Sequence, residues 1–250
     1  MFFNGLVLYL YMNKSAIFLL SFLLLFALGC ETENGRRTDY EIDGIDISRY
    51  QSKVDWKAIE EQQFDFVFVK ATEGGDHTDT LFDTHWEAIK KAGLKRGAYH
   101  FFRPGISPLV QAKNFMDQVS LRPGDLPPVL DVEVADGASK TVIVNRIKSW
   151  LEIVETRYGV KPIIYTSIKF YYNYIVGSFD DYPLWIAKYG EMKPQIVNGS
   201  QFKFWQYTNK GTIKGIKGDV DFNIFDGSRA DFEAMCIQRE PVFSQVIEPK

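Results

Sequence analysis

The sequence contains few of the residues that build disulfide frameworks and metal sites. Its 250 residues include two cysteines, Cys30 and Cys236, and three dispersed histidines. Neither a CxxC pair nor an HExxH motif occurs, so the sequence predicts no metal ion and no other cofactor. A disulfide framework is not expected either. If Cys30 is lipidated, Cys236 has no second cysteine with which to pair.

An excess of positive charge and internal linkers are also absent. The chain has 29 Lys and Arg against 32 Asp and Glu, a formal net charge of −3, which excludes the basic surface typical of nucleic-acid binding. No Pro/Gly-rich linker or repeat interrupts residues 39–238. A hydrophobic content of 46% is enough for one large core. We therefore expect one folded domain and a monomer.

The N-terminus has the pattern of an export signal. Lys14 precedes the apolar run of residues 16–29, which ends at Cys30. This order of a basic residue, an apolar stretch and small residues predicts a secretory signal. Residues 27–30 (ALGC) resemble a bacterial lipobox, in which the cysteine is lipidated and becomes the mature N-terminus, although Phe26 stands where the usual leucine would be.

The predicted division of the chain follows from this signal. Residues 1–30 form a signal peptide with lipidation at Cys30, and the polar residues 31–38 form a tether. The barrel domain spans residues 39–238, and residues 239–250 form a C-terminal tail. We expect a lipoprotein anchored to a membrane of the cell envelope. The alternatives are an uncleaved membrane anchor and a plain signal peptide.

From residue 39 onward, short β-type runs alternate with helical patterns. The predicted strands are residues 42–47, 66–70, 96–102, 128–133, 162–165, 184–188, 202–207 and 219–222. The predicted helices are residues 55–62, 81–92, 110–118, 140–158 and 168–175. Such alternation favours a parallel sheet, and eight strands in this length predict a closed, TIM-like α/β barrel with about five outer helices. A doubly wound open sheet is the alternative.

Two carboxylates lie at the end of the fourth predicted strand. Asp131 and Glu133 are two residues apart, so on a strand both side chains point to the same face. Like charges this close tend to raise one pKa. A carboxylic acid that keeps its proton beside an ionised carboxylate is the arrangement that cleaves glycosidic bonds. The alternative is a pair of acids that only keeps a strand end soluble.

Further acids follow other predicted strands. In a barrel, the carboxyl ends of parallel strands meet at one mouth, where Asp46 and Asp221 would join the pair. Desolvating several charges is costly, which favours a functional site. Structural alternatives are an Asp46–Lys70 ion pair and a turn formed by Asp221 with Asp219. Glu73, before two glycines, is a further candidate or a simple loop acid.

Six sequence runs resemble the family 25 glycoside hydrolases, which are lysozymes that cut the N-acetylmuramic acid–N-acetylglucosamine bond of peptidoglycan. They occur in the order found in the family. The runs are residues 44–51 (GIDISRYQ), 68–74 (FVKATEG), 96–101 (RGAYHF), 129–133 (VLDVE), 204–207 (FWQY) and 218–221 (GDVD). The resemblance implies a flattened β/α barrel with fewer outer helices than usual.

The resemblance also implies roles for particular residues. Glu133 matches the general acid of the family and Asp131 its companion, while Asp46 and Asp221 match two further acids of the cleft. The candidate substrate contacts are Tyr99, Lys70, Trp205, Tyr207 and Glu73. Core packing is the alternative for one of the two aromatic residues of strand seven. A departure from the family is Arg49-Tyr50, where many relatives have His-Trp.

The expected function is therefore an exported lysozyme that acts on peptidoglycan glycan strands. The alternatives are a catalytically inactive glycan-binding barrel and a chitinase-type hydrolase. The mechanism is open at this stage. The substrate's own 2-acetamido group, oriented by Asp131, or direct attack by Asp131 or Asp46 would retain the anomeric configuration, whereas water activated by Asp221 would invert it.

Overall fold

A computed structural model of the chain describes residues 35–197 and 202–240. The predicted signal peptide with Cys30, residues 31–34 of the tether and residues 241–250 of the tail lie outside these ranges. Within them, no helix combines the length and the hydropathy that a bilayer crossing requires.

The strands of the described residues form one sheet that closes on itself. They are β1 (Asp43–Ile47), β2 (Phe66–Glu73), β3 (His77–Thr78), β4 (Lys95–Phe101), β5 (Val129–Asp131), β6 (Ile163–Ser167), β7 (Leu184–Ala187), β8 (Phe202–Gly211) and β9 (Val220–Phe225). The order β1-β9-β8-β7-β6-β5-β4-β2 is closed by pairing of β1 with β2, and β3 only extends β2 as a hairpin. The predicted barrel is confirmed.

Helices follow each of the first five barrel strands. The helices are α1 (Trp56–Glu61), α2 (Phe82–Lys91), α3 (Pro108–Gln118), α4 (Lys140–Tyr158), α5 (Ile168–Phe170), which continues as a π-helix (Tyr171–Ile175), and α6 (Arg229–Met235). The ends of α4 show why its bounds could be predicted: the Ser139 side chain accepts from the Val142 amide, and Gly159 ends the helix at a φ of 71°. The described residues that join β7 to β8 and β8 to β9 contain no helix, which gives the flattened form of the barrel.

The last strand runs against the others. β9 pairs antiparallel with both β1 and β8, whereas the remaining barrel neighbours are parallel. Residues 212–219 are too few for the helical crossover that a parallel connection needs, so the chain turns back as a hairpin. The expectation of a parallel sheet is therefore wrong for this strand. Its amino end lies at the mouth, where Asp221 is the cross-strand partner of Asp46.

Aromatic rings fill the lower half of the barrel. The Phe68 and Trp185 rings stack with centroids 4.4 Å apart, and those of Phe66 and Phe204 meet edge to face at 5.2 Å. These rings fit because glycine occupies the facing positions. A Cβ atom on Gly97 would overlap the Phe68 ring, and one on Gly44 would overlap the Phe66 ring. Large and small residues thus interlock across the barrel axis.

The residues just before β1 pack against the outside of the barrel. Arg36 forms an ion pair with Asp43 at 2.6 Å, and the Arg37 amide donates to the Tyr207 hydroxyl at 3.1 Å. The Arg37 guanidinium also lies 5.1 Å from the centre of the Trp205 ring. Arg36 and Arg37 are therefore packed against the barrel, although both fall within the predicted tether of residues 31–38.

The glycine–aromatic fit predicts a stability effect for Gly97→Ala. The added methyl group must displace the Phe68 ring from its stack on Trp185, so we expect a loss of about 1–3 kcal/mol in the free energy of unfolding. Gly105→Ala is the matched control, because its methyl group would meet no atom within 4 Å, and a change within about 0.5 kcal/mol is expected. Equal effects of the two substitutions in urea unfolding would contradict this packing.

Candidate active site

The inward-facing polar side chains meet at the mouth of the barrel. They line a cleft with a volume of about 320 Å³. All four predicted carboxyl groups border it, as do Lys70 and Tyr99 of the predicted substrate contacts. The lining residues are Asp46, Ile47, Ser48, Tyr50, Gln51, Lys70, Tyr99, Phe101, Asp131, Glu133, Tyr165, Trp185, Tyr189, Gln206, Asn209 and Asp221.

Asp131 and Glu133 occupy one wall of the cleft in different settings. Asp131 is 5% exposed, and its Oδ1 atom receives no hydrogen bond from the described residues. Burial, and next the charge of Glu133, raise the pKa of Asp131 well above its ordinary value. Glu133 is open to the cleft, yet the surrounding protein removes enough water to raise its pKa, against the opposing effects of the Tyr165 hydroxyl and Lys70.

Asp46 and Asp221 form a second pair on the opposite wall. Burial raises the pKa of Asp46 well above its ordinary value, and the charge of Asp221 raises it further. Burial also raises the pKa of Asp221, to about 6, while a hydrogen bond with Asp46 opposes that rise. The two carboxyls therefore share a proton at pH values where an isolated aspartate is ionised.

Two side-chain amides fix the position of Asp46. Its Oδ2 atom accepts from Gln206 Nε2 and from Asn223 Nδ2, each at 2.8 Å. The Trp185 indole donates to Asn223 Oδ1 at 2.8 Å, so the amide cannot turn over without losing that bond. Asp46 is thus held in one orientation by donors from two strands, β8 and β9, and one of these donors is fixed by Trp185 of β7.

The sequence interpretation missed Gln206 and the tyrosines that orient it. The hydroxyls of Tyr165 and Tyr189 donate to Gln206 Oε1 at 2.9 and 3.1 Å. Gln206 lies between two aromatic residues of β8, and the alternation of a strand brings it to the opposite face from both. That alternation was the available signal, because only one of the two faces can line the cleft.

Trp205 and Tyr207 lie on the outer face of β8 and do not border the cleft. Trp205 is fully buried, and its indole donates to the Lys188 carbonyl at 2.7 Å. The Tyr207 hydroxyl accepts from the amide of Arg37 on the outside of the barrel. The structure therefore places these two predicted substrate contacts behind the wall, whereas core packing was the alternative for only one of them.

Lys70, Tyr99 and Glu73 occupy neighbouring strands on the same side of the mouth. Burial raises the pKa of the Tyr99 phenol well above its ordinary value, so the hydroxyl stays protonated and can donate. The Lys70 ammonium lies 2.7 Å from Glu73 Oε2. Glu73 itself does not border the cleft. Its ionised form binds Lys70, whereas Lys70 and Tyr99 face the space that a substrate would fill.

The chemistry of this site depends on carboxyl groups. Among the described residues, no group of three or more His, Cys, Asp or Glu side chains is arranged to hold a metal ion. The cleft combines carboxyl groups whose pKa values are raised with neutral phenols and, among its lining residues, one ammonium group. This set can donate a proton to a leaving oxygen and can stabilise positive charge that develops beside a carboxylate.

Comparison with known sequences gives one consistent result. The family model described as Glycosyl hydrolases family 25 matches residues 45–216. The uncharacterized protein YegX of Escherichia coli strain CFT073 is 41% identical over 194 residues, which are 76% of this chain and 71% of that protein. The autolytic lysozyme of Clostridium acetobutylicum is 34% identical over 182 residues, 73% of this chain and 55% of that enzyme.

Solved structures show the same fold. A family 25 glycosyl hydrolase from Bacillus anthracis superposes with a TM-score of 0.76 and 31% identity, covering 83% of this chain and 99% of that one. A bacterial lysozyme from Streptomyces coelicolor gives a TM-score of 0.74 and 32% identity, over 80% and 98% of the two chains. The chain therefore belongs to family 25 of the glycosyl hydrolases, and the prediction of a glycoside hydrolase is confirmed.

Proposed function

We propose that the chain is an exported N-acetylmuramidase with Glu133 as its general acid. It hydrolyses the β-1,4 bond between N-acetylmuramic acid and N-acetylglucosamine in peptidoglycan. The observation that carries the proposal is the pairing of an accessible Glu133, whose pKa is raised, with a buried Asp131 in one cleft. Relatives named autolytic lysozyme and lysozyme M1 support this substrate class.

Glu133 has the two properties that proton donation to a leaving oxygen requires. It is open to the cleft, so its carboxyl group can reach the glycosidic oxygen. Its raised pKa extends the pH range over which the carboxyl carries a proton. Because Glu133 and Asp131 interact, the basic limb of the pH–rate profile belongs to the pair rather than to one residue.

No group of the described residues donates a hydrogen bond to Asp131 Oδ1, and the substrate can supply this missing donor. A buried oxygen without a donor is unfavourable, and the Oδ1 atom of Asp131 is such an oxygen among the described residues. The N–H of the substrate's 2-acetamido group would satisfy it. Asp131 then orients the acetamido carbonyl oxygen toward the anomeric carbon and balances the positive charge that forms on the amide when that oxygen attacks.

The Asp46–Asp221 pair serves the opposite side of the sugar. With its pKa raised to about 6, Asp221 is largely ionised at neutral pH and faces the cleft. Asp46, held by Gln206 and Asn223, keeps the shared proton. In this proposal the pair stabilises the positive charge of the transition state. Glu133, ionised after the first step, takes a proton from the water that opens the intermediate on the face from which the leaving group departed.

We also propose that the enzyme works as a monomer on the envelope, held by a lipid on Cys30. The signal-like run of residues 16–29 and the lipobox-like residues 27–30 support this location. The polar residues 31–38 would form the tether between the lipid and the domain, and Arg36 and Arg37 near its end contact the outside of the barrel.

A digest of purified peptidoglycan tests the activity and the acid together. We expect new reducing ends of N-acetylmuramic acid, detected by mass spectrometry, from the wild type. Glu133→Gln keeps the shape of the side chain and removes its proton, so a rate loss of about 10²- to 10⁴-fold is expected. The exposed Glu191 on the outer wall supplies the control Glu191→Gln, which should cleave like the wild type.

Other products of that digest would contradict the proposal. Reducing ends of N-acetylglucosamine would identify a glucosaminidase. Equal cleavage of chitin, which lacks muramic acid, would identify a chitinase-type hydrolase. Binding of peptidoglycan without cleavage by the wild type would identify a glycan-binding barrel.

The first product formed distinguishes the possible mechanisms. Assistance by the acetamido group retains configuration, so proton NMR of an early digest is expected to show the β-anomer of the new reducing end before mutarotation. The α-anomer would instead indicate inversion by water that Asp221 activates. Asp131→Asn separates assistance by the acetamido group from direct attack by Asp131, because an amide oxygen still accepts from an acetamido N–H, whereas it cannot attack carbon as a carboxylate does.

Lipidation has its own test. Cells that express the chain are fed an alkyne-labelled fatty acid, and the label is expected on the wild type and absent from Cys30→Ser. The wild type should sediment with membranes, while the variant is released. Cys236→Ser is the control, because the buried Cys236 thiol is expected to carry no lipid. An unlabelled wild type would point to a plain signal peptide.

A further inference from the structure

Lys70 is the one cationic side chain among the described residues that line the cleft. It faces a space bordered by the two carboxyl pairs, and its charge acts on both Asp131 and Glu133. Nevertheless its ion pair is formed with Glu73, at 2.7 Å, and with neither Asp131 nor Glu133. The cation of the cleft is therefore bound by a carboxylate that lies outside the cleft.

A bulge in β2 makes this pairing possible. On a regular strand, residues three apart point to opposite faces, so Lys70 and Glu73 would not meet. The register between β2 and β4 shifts between Lys70 and Thr72, which adds one residue to β2. Because of the extra residue, the side chains of Lys70 and Glu73 point to the same side of the strand, toward the rim of the mouth.

Glu73 is in turn held by residues of the loops that follow β4 and β5. Arg103 Nη1 lies 3.6 Å from Glu73 Oε1, and Arg103 Nε lies 3.0 Å from Asp136 Oδ2. The Lys70 ammonium also contacts the Phe101 ring, whose centre lies 4.9 Å away. Alternating charges thus run from Asp136 to Lys70 and hold the ammonium in place.

We propose that Glu73 is a positioning residue, whose ion pair holds the Lys70 ammonium on the cleft wall and keeps it from pairing with Glu133. The inference rests on the proposed function, because it concerns the acid assigned there. Without Glu73, the Lys70 ammonium could be compensated by Asp131 and Glu133, on which its charge already acts. An ammonium bound to Glu133 would favour the carboxylate form and remove the proton that catalysis uses.

Several other titratable groups face Glu133, and a substitution at Glu73 leaves them in place. The carboxyls are Asp131 on β5, Asp46 on β1 and Asp221 on β9, and the phenols are Tyr99 on β4, Tyr165 on β6 and Tyr189 after β7. Burial raises the pKa of each phenol, so all three stay neutral over the working range. A change in Glu73 therefore acts on Glu133 through Lys70 or directly through the lost charge.

The pH dependence of kcat/KM on peptidoglycan tests the proposal. Glu73→Gln keeps the size of the side chain and removes its charge. We expect the basic limb, which reports loss of the acid's proton, to move to lower pH by about one unit, a tenfold loss of kcat/KM above the limb. Lys70→Met should move the same limb to higher pH, because it removes a cation that favours the carboxylate.

A double variant separates the two routes from Glu73 to the acid. In the Lys70→Met background, Glu73→Gln is expected to leave the limb in place, because no ammonium remains to be released. The matched control is Asp117→Asn, which breaks the exposed Lys113–Asp117 ion pair with the same change of charge far from the cleft. Its pH profile should equal that of the wild type.

Three results would overturn the proposal. An equal loss of activity by Glu73→Gln at every pH, with the limb unmoved, would show a purely structural role. The same limb shift in the Lys70→Met background would show a direct effect of the Glu73 charge. A Lys70→Met limb that stays or moves down would show that Lys70 does not act on the acid, even if Glu73→Gln fails to fold. A wild type without activity would instead contradict the proposed function.

Discussion

Desolvation of four carboxyl groups in the mouth of one barrel is the constraint on which the rest of the site depends. Asp46 and Asp131 are almost completely buried, and a charge in such a place is unfavourable unless it is neutralised or bound by donors. The structure responds in two ways. Protons remain on carboxyls that would ionise in water, and the side-chain amides of Gln206 and Asn223 bind Asp46 in one orientation. The same low polarity that makes the cluster costly gives Glu133 a transferable proton.

The lower half of the barrel makes this arrangement rigid. The Trp185 ring belongs to the aromatic stack below the site, and its indole nitrogen donates to Asn223 within the site. A shift of the stack would therefore be transmitted to Asp46 through one amide. Glycine at positions 44 and 97 allows the rings to fill the axis, so the packing of the interior and the orientation of the carboxyls are two results of one set of inward-facing residues.

Most of the fold and part of the site could be predicted from the sequence, because both follow from local patterns. The helix at residues 140–158 has clear start and stop signals, and the period of two brings Asp131 and Glu133 to one face. The remaining features depend on partners that are distant along the chain. The position of β9 beside β1 closes the barrel between strands that are far apart in the sequence, although the direction of β9 follows from the short connection before it. Lys70 meets Glu73 only because the β2 register shifts, and Arg37 is held against the barrel by Tyr207, which lies 170 positions further along the chain. In residues 204–207, Trp205 and Tyr207 were predicted to contact the substrate, but the side-chain amide of Gln206 between them faces the cleft.

The central claim is that the barrel keeps a proton on Glu133 beyond the range of an ordinary glutamic acid. The direct measurement is a pH titration of the protein labelled with ¹³C at glutamate Cδ, in which the Glu133 signal is assigned by its absence from Glu133→Gln. The account predicts a titration midpoint above the ordinary value of 4.5, with a second inflection from its interaction with Asp131. A single midpoint at or below that value would contradict the account, since the acid would then be ionised before the glycosidic oxygen could receive its proton.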